Sequence, residues 1–156
     1  MPSADNLLVA ALVLALILWR QLQPREVREE NAYRLMLILG VAGVVELVRF
    51  ADDHRVTALA WALVGASLAV GAAFGLMRGA TVRIWRRDGV LVRQGTLVTV
   101  ALWAVGIGVH LLVDAAVSGV DSSADGIGST AILLYLGIAL AAQQLVTLNR
   151  AAQLAA

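Results

Sequence analysis

The chain has 156 residues, 60% of them hydrophobic and 15% charged, which leaves too little polar surface to keep a soluble domain of this size from aggregating. Its net charge is only +1, its positive charge is all arginine with no lysine, and no nucleic-acid partner is expected. The absence of cysteine excludes disulfides, thiol nucleophiles and iron–sulfur clusters.

Five apolar stretches, 6–22, 33–50, 56–77, 96–116 and 127–148, each approach the ~20 residues that a ~30 Å hydrocarbon core requires. They predict an all-α integral membrane protein, a single domain over 1–156 built as a bundle of five transmembrane helices. The first stretch is the shortest. Asp5 precedes it without any positive charge and no small-residue cleavage pattern follows, so it is expected to be a permanent helix rather than a signal peptide. The second carries Glu46 and Arg49, with Asp53 just beyond its end. The third leads through Gly71, Gly75 and Gly79, a small-residue face that permits close helix approach. Packing within the chain is the simpler expectation for that face, and a homodimer the alternative.

Between the third and fourth spans, residues 81–95 place β-branched and aromatic residues on both sides of Asp88-Gly89. That dipeptide is a strong signal for a two-residue turn, because both central positions tolerate positive φ, so a short β-hairpin is expected. The loop 117–126 holds Asp121 and Asp125 without the ligand periodicity of a calcium site, and no metal or other cofactor is expected. In the fifth span, Gln143 and Gln144 are expected to make interhelical hydrogen bonds, one of them to Arg78.

Ten of the twelve arginines fall after the first and third spans or at the C-terminus. The positive-inside rule then predicts an N-out, C-in protein with a cytoplasmic hairpin, spanning the bacterial cytoplasmic (inner) membrane several times. Trp19, Tyr33 and Trp85 fall at the inner interface and Trp61 at the outer one, as amphipathic rings should. Arg83, Arg86, Arg87 and Arg93 are placed to meet anionic lipid headgroups or simply to enforce topology.

The run Arg78-Gly79, Arg83, Trp85, Asp88-Gly89 and Gln94-Gly95-Thr96, followed by Trp103 and Gly106-Ile107, resembles the CcdC-like family of small bacterial membrane proteins. The match covers about thirty residues. The resemblance implies a polytopic membrane fold and no established enzymatic activity.

Ionisable residues inside hydrocarbon are costly and usually functional, which singles out Glu46, Arg49, Asp53, His110 and Asp114. Glu46, Arg49 and Asp53 follow i, i+3 and i+7 and so share one helical face; Trp103, Gly106, His110 and Asp114 share another. At 1.5 Å per residue the two stripes reach similar depth and are expected to face each other, with Tyr135 of the fifth span nearby. The first expectation for function is an outward-facing polar pocket for an ion, a proton or a small ligand, with Arg49, Asp53, Trp103 and Tyr135 as binding residues. Arg49 beside Glu46 opposes a metal. The alternative is an acid–base enzyme of isomerase, cyclase or hydrolase type acting on a lipophilic small molecule. Glu46, His110 and Asp114 would carry its catalysis and Arg49 would stabilise a developing anion. Self-paired ion networks or a structural partner in a membrane complex would use the same residues without chemistry.

Overall fold

The computed structural model describes residues 19, 22–27 and 29–155. Within them the chain is mostly helical. A short strand β1 (Arg25–Glu26) precedes helix α1 (Glu29–Asp53) and helix α2 (Ala58–Thr81). Strands β2 (Arg83–Arg87) and β3 (Val90–Gln94) lead to helix α3 (Leu97–Val120), a 3₁₀ turn (Ser122–Ala124) and helix α4 (Ile127–Ala155).

Among the described residues the expected bundle of five transmembrane helices is not found. Among the described residues there are four helices, and three of them, α2, α3 and α4, are long and apolar enough to cross a membrane. Helix α1 falls outside that set, and its longest uncharged run among the described residues is 35–45, between Arg34 and Glu46. At 1.5 Å per residue that run reaches only about 16 Å, half of a hydrocarbon core. The predicted first span, 6–22, lies almost wholly outside the described residues. In the three apolar helices only 28%, 17% and 33% of the most hydrophobic stretch is buried, so most of their apolar surface points away from the protein. Leu97, Val98, Leu111, Leu112 and Leu145 are among the exposed side chains. An apolar exterior of this extent fits a membrane location.

Local chemistry explains the element ends. The Thr57 hydroxyl accepts from Ala60 N at the start of α2, and Thr96 forms a reciprocal capping box with Thr99 at the start of α3. At the other end of α2, Arg150 Nη1 donates to the carbonyls of Gly79 (2.7 Å) and Val82 (2.8 Å). Asp88 (φ 52°) and Gly89 (φ 81°) both adopt the left-handed region, which gives the twist-matched turn expected of Asp-Gly. The hairpin gains a third strand: β1 pairs antiparallel with β3, so the sheet order is β1-β3-β2.

Helix α4 is the axis of the bundle, packed against both α1 and α2, while α3 packs mainly on α2. The Gly71, Gly75 and Gly79 face is used within the chain. A Cβ at Gly71 would lie 2.5 Å from the Tyr135 ring, one at Gly75 would meet the Ala139 carbonyl, and one at Gly79 would lie 2.7 Å from the Gln143 carbonyl. All three glycines are buried. This face therefore belongs to α4 and is closed to a second copy.

Candidate functional site

A groove of about 840 Å³ lies between α1 and α4. Its size falls in the range of small-molecule sites. It exists because the two helix backbones touch at a few small residues while their flanking side chains stand apart. A Cβ at Gly137 would sit 3.0 Å from Gly40 N, and one at Gly43 would fall on the Leu134 backbone. Gly40 itself has open space where a Cβ would go. Met36, Val41 and Val45 line one wall, and Ile138, Ala141 and Leu145 the other.

Among the described residues Gln144 is the only polar one in the lining, and it marks the end of the groove nearest the sheet. Its Oε1 accepts from Arg93 Nη1 at 2.6 Å, while its Nε2 is buried without a partner among the described residues. A buried amide left unpaired costs about 1–3 kcal/mol, so such a group calls for an acceptor. Arg93 stands opposite Arg25 in the β1–β3 register, and cross-strand partners project from the same face of the sheet. Burial lowers the Arg93 pKa from its ordinary value and the neighbouring Arg25 charge lowers it further.

A second polar cluster lies inside the bundle. Arg78 is fully buried, with its guanidinium 3.9 Å above the Trp103 ring. Its Nε donates to Gln143 Oε1 at 3.2 Å and its Nη2 to the Ala139 carbonyl at 3.3 Å. The contact expected between a fifth-span glutamine and Arg78 is thus made by Gln143. Arg78 Nη1, Trp103 Nε1 and the Tyr135 hydroxyl are buried without partners among the described residues. Cation–π stacking supplies part of the compensation that a buried guanidinium requires.

His110 sits in a third position, nearer the loop 121–126. Its Nε2 lies 3.1 Å from the Gly128 carbonyl, which only accepts, so Nε2 is the donor. In the neutral ring Nδ1 then accepts from the Ser67 hydroxyl at 2.8 Å. The imidazole packs on Tyr135 with ring centroids 4.5 Å apart. Asp114 Oδ1 accepts from Gly128 N at 2.9 Å and so caps the start of α4 from a neighbouring helix. Both side chains tie α3 to α4, and His110 also ties it to α2. The void they share with Ser67 and Gly128 measures about 10 Å³, close to the roughly 10–15 Å³ that one water needs. No lipophilic substrate fits there.

The two polar stripes read from the sequence do not meet. Glu46, Arg49 and Asp53 do share one face of α1, but that face is exposed. Arg49 Nη1 lies 3.7 Å from Glu46 Oε1, and the two side chains are 72% and 50% exposed. Helix α1 packs on α4 rather than α3, so its charged face turns away from His110 and Asp114. Trp103 and Tyr135 join Arg78 instead of Glu46. No group of three or more metal-ligating side chains occurs among the described residues. In the loop beyond α3, Ser118 donates to Asp125 (2.8 Å) and Thr57 N to Asp121 (3.1 Å).

Arg25 and the groove glycines escape sequence reasoning. Arg25 sits in a two-residue strand with no periodicity to announce it. Gly40 and Gly43 carry the same small-residue signal as the third-span face, in a helix whose charges drew attention elsewhere. Comparison with known proteins finds no matching family model, no matching curated protein and no matching solved structure. The resemblance to the CcdC-like family therefore rests on residues 78–107 alone.

Proposed function

We propose that this chain is a small polytopic protein of the bacterial cytoplasmic membrane that binds an amphiphile in the groove between α1 and α4. The observation that carries this reading is the groove itself: about 840 Å³, apolar along its walls, with Gln144 the single polar residue of its described lining, at one end. A hydrocarbon chain matches the walls and a polar headgroup matches the Gln144 end. The sheet end holds Arg25, Arg83, Arg86, Arg87, Arg93 and Arg150, while at the opposite end the arginines are Arg49 and Arg55, beside Asp52, Asp53, Asp121 and Asp125. That asymmetry supports a cytoplasmic sheet by the positive-inside rule.

A lipid bearing a photoreactive group in its tail tests the reading. In vesicles, cross-links should concentrate on residues 36–45 and 138–145, exceed those on the equally apolar outer face of α3, and disappear in Gly40→Leu. Leucine at that position fills open space rather than meeting the backbone. Uniform labelling of every outer face would mean ordinary surrounding lipid and would sink the proposal.

A proton site at His110 is the second reading, favoured by the void that Ser67, His110 and Asp114 share. An imidazole nitrogen can take up a proton, and a proton needs no larger space. Its test is the proton titration of His110 by NMR in micelles. A ring that stays neutral down to pH 5 excludes it.

A further inference from the structure

The headgroup end of the groove carries more information than its walls. Three observations converge there. Gln144, only 4% exposed, presents an amide Nε2 with no acceptor among the described residues. Arg93 is tethered to the same amide through Oε1 at 2.6 Å, so the arginine is held beside a residue that lines the groove. Arg25 lies directly across from Arg93 on the same face of the sheet, and like charges directly opposite one another are destabilising. Two guanidinium-bearing side chains therefore lie side by side on the sheet, one of them bonded to this amide. A tetrahedral anion would relieve the repulsion and satisfy the amide together, because arginine forks match phosphate oxygens in geometry as well as charge.

The geometry points to an anionic phospholipid as the occupant, with a hydrocarbon tail along the α1–α4 walls and its phosphate held between Arg25, Arg93 and the Gln144 amide. This rests on the amphiphile-binding reading and adds the class of headgroup. It also separates these two arginines from Arg83 and Arg87, which lie at the opposite edge of the sheet order, on β2, and are exposed. Those outer residues attract anionic surfaces only through general charge.

The test is lipid retention by the full chain in non-ionic detergent. The protein is stripped of lipid and titrated with phosphatidylglycerol or phosphatidylcholine of identical tails, and bound lipid is counted by native mass spectrometry. At about fivefold per arginine near a phosphate, the wild type should prefer phosphatidylglycerol by about 30-fold. The double variant Arg25→Gln/Arg93→Gln should bring the ratio near 1 while phosphatidylcholine is still retained. Arg83→Gln/Arg87→Gln should leave the ratio intact. Arg25→Gln alone, at an exposed strand position, should lower the preference about fivefold and keeps the test decisive if the double variant fails to fold.

A preference unchanged by the Arg25 and Arg93 substitutions overturns the headgroup assignment, as does an equal loss in the Arg83/Arg87 control. Competition by soluble glycerol phosphate as effective as that of the whole lipid would mean a free-phosphate site and would also overturn it. Retention of both lipids by Gly40→Leu is a different failure, since it removes the groove reading beneath the proposal.

Discussion

Replacing Gly75 by alanine puts a methyl group against the Ala139 carbonyl and 2.9 Å from Ala142 Cβ, inside the closest contact of α2 with α4. A carbonyl in the middle of a helix cannot swing aside as a side chain does, so the helices must part. Overpacking of this kind costs about 1–3 kcal/mol, against up to ~1 kcal/mol gained from the better helix propensity of alanine. The net expectation is a loss of about 1–2 kcal/mol. Gly108 provides the internal standard, because a Cβ there meets nothing within 4 Å and only the propensity gain applies. The two variants should therefore differ by about 2 kcal/mol, or roughly 4–8 °C in Tm for a chain of this length. Thermal unfolding in detergent, followed by circular dichroism, reads the difference. If Gly75→Ala melts with Gly108→Ala, or keeps its Tm and changes only its oligomeric state, the Gly71–Gly75–Gly79 face is not the α2–α4 contact described here.

The remaining predictions address the polar groups. His110→Leu leaves the Ser67 hydroxyl and the Gly128 carbonyl unpaired in the core and should cost about 1–3 kcal/mol in unfolding experiments, whatever the protein binds. An unchanged Tm would mean that the ring does not bridge the three helices. Glu46→Gln and Arg49→Gln should each shift Tm by less than about 2 °C, because an exposed ion pair contributes little. A large loss in either would place this pair inside the protein after all. Arg25→Gln should raise the Tm of lipid-free protein by relieving the cross-strand repulsion with Arg93, and should lose that advantage once phosphatidylglycerol is added. A variant that stays more stable than wild type at saturating phosphatidylglycerol would deny Arg25 any part in holding the lipid.

Much of the architecture was legible from local rules. Asp88-Gly89 set the hairpin turn because few other dipeptides accept two positive φ values, and the 56–77, 96–116 and 127–148 spans anticipated α2, α3 and α4 to within a few residues at most ends. The site was less legible, for a reason visible in α1. Periodicity correctly put Glu46, Arg49 and Asp53 on one face, but it cannot say which way a face points. That was decided by Gly40 and Gly43, whose small profiles let α1 close on Gly137 and Leu134 of α4. The charged stripe was thereby turned outward. His110 and Asp114 do turn toward protein, but their partners are Ser67 and the Gly128 backbone, which no spacing rule identifies. Arg25 was hidden for the opposite reason: its two-residue strand exists only because β3 offers a free edge.

The central claim is an occupied groove, and the most direct measurement is an experimental structure of the full chain in nanodiscs containing phosphatidylglycerol. Elongated density running from beside Gln144 to the level of Val45, with a compact head within hydrogen-bond distance of Arg93, is the predicted result. A groove closed by repacked side chains of α1 and α4, or filled by another segment of the chain itself, would contradict it.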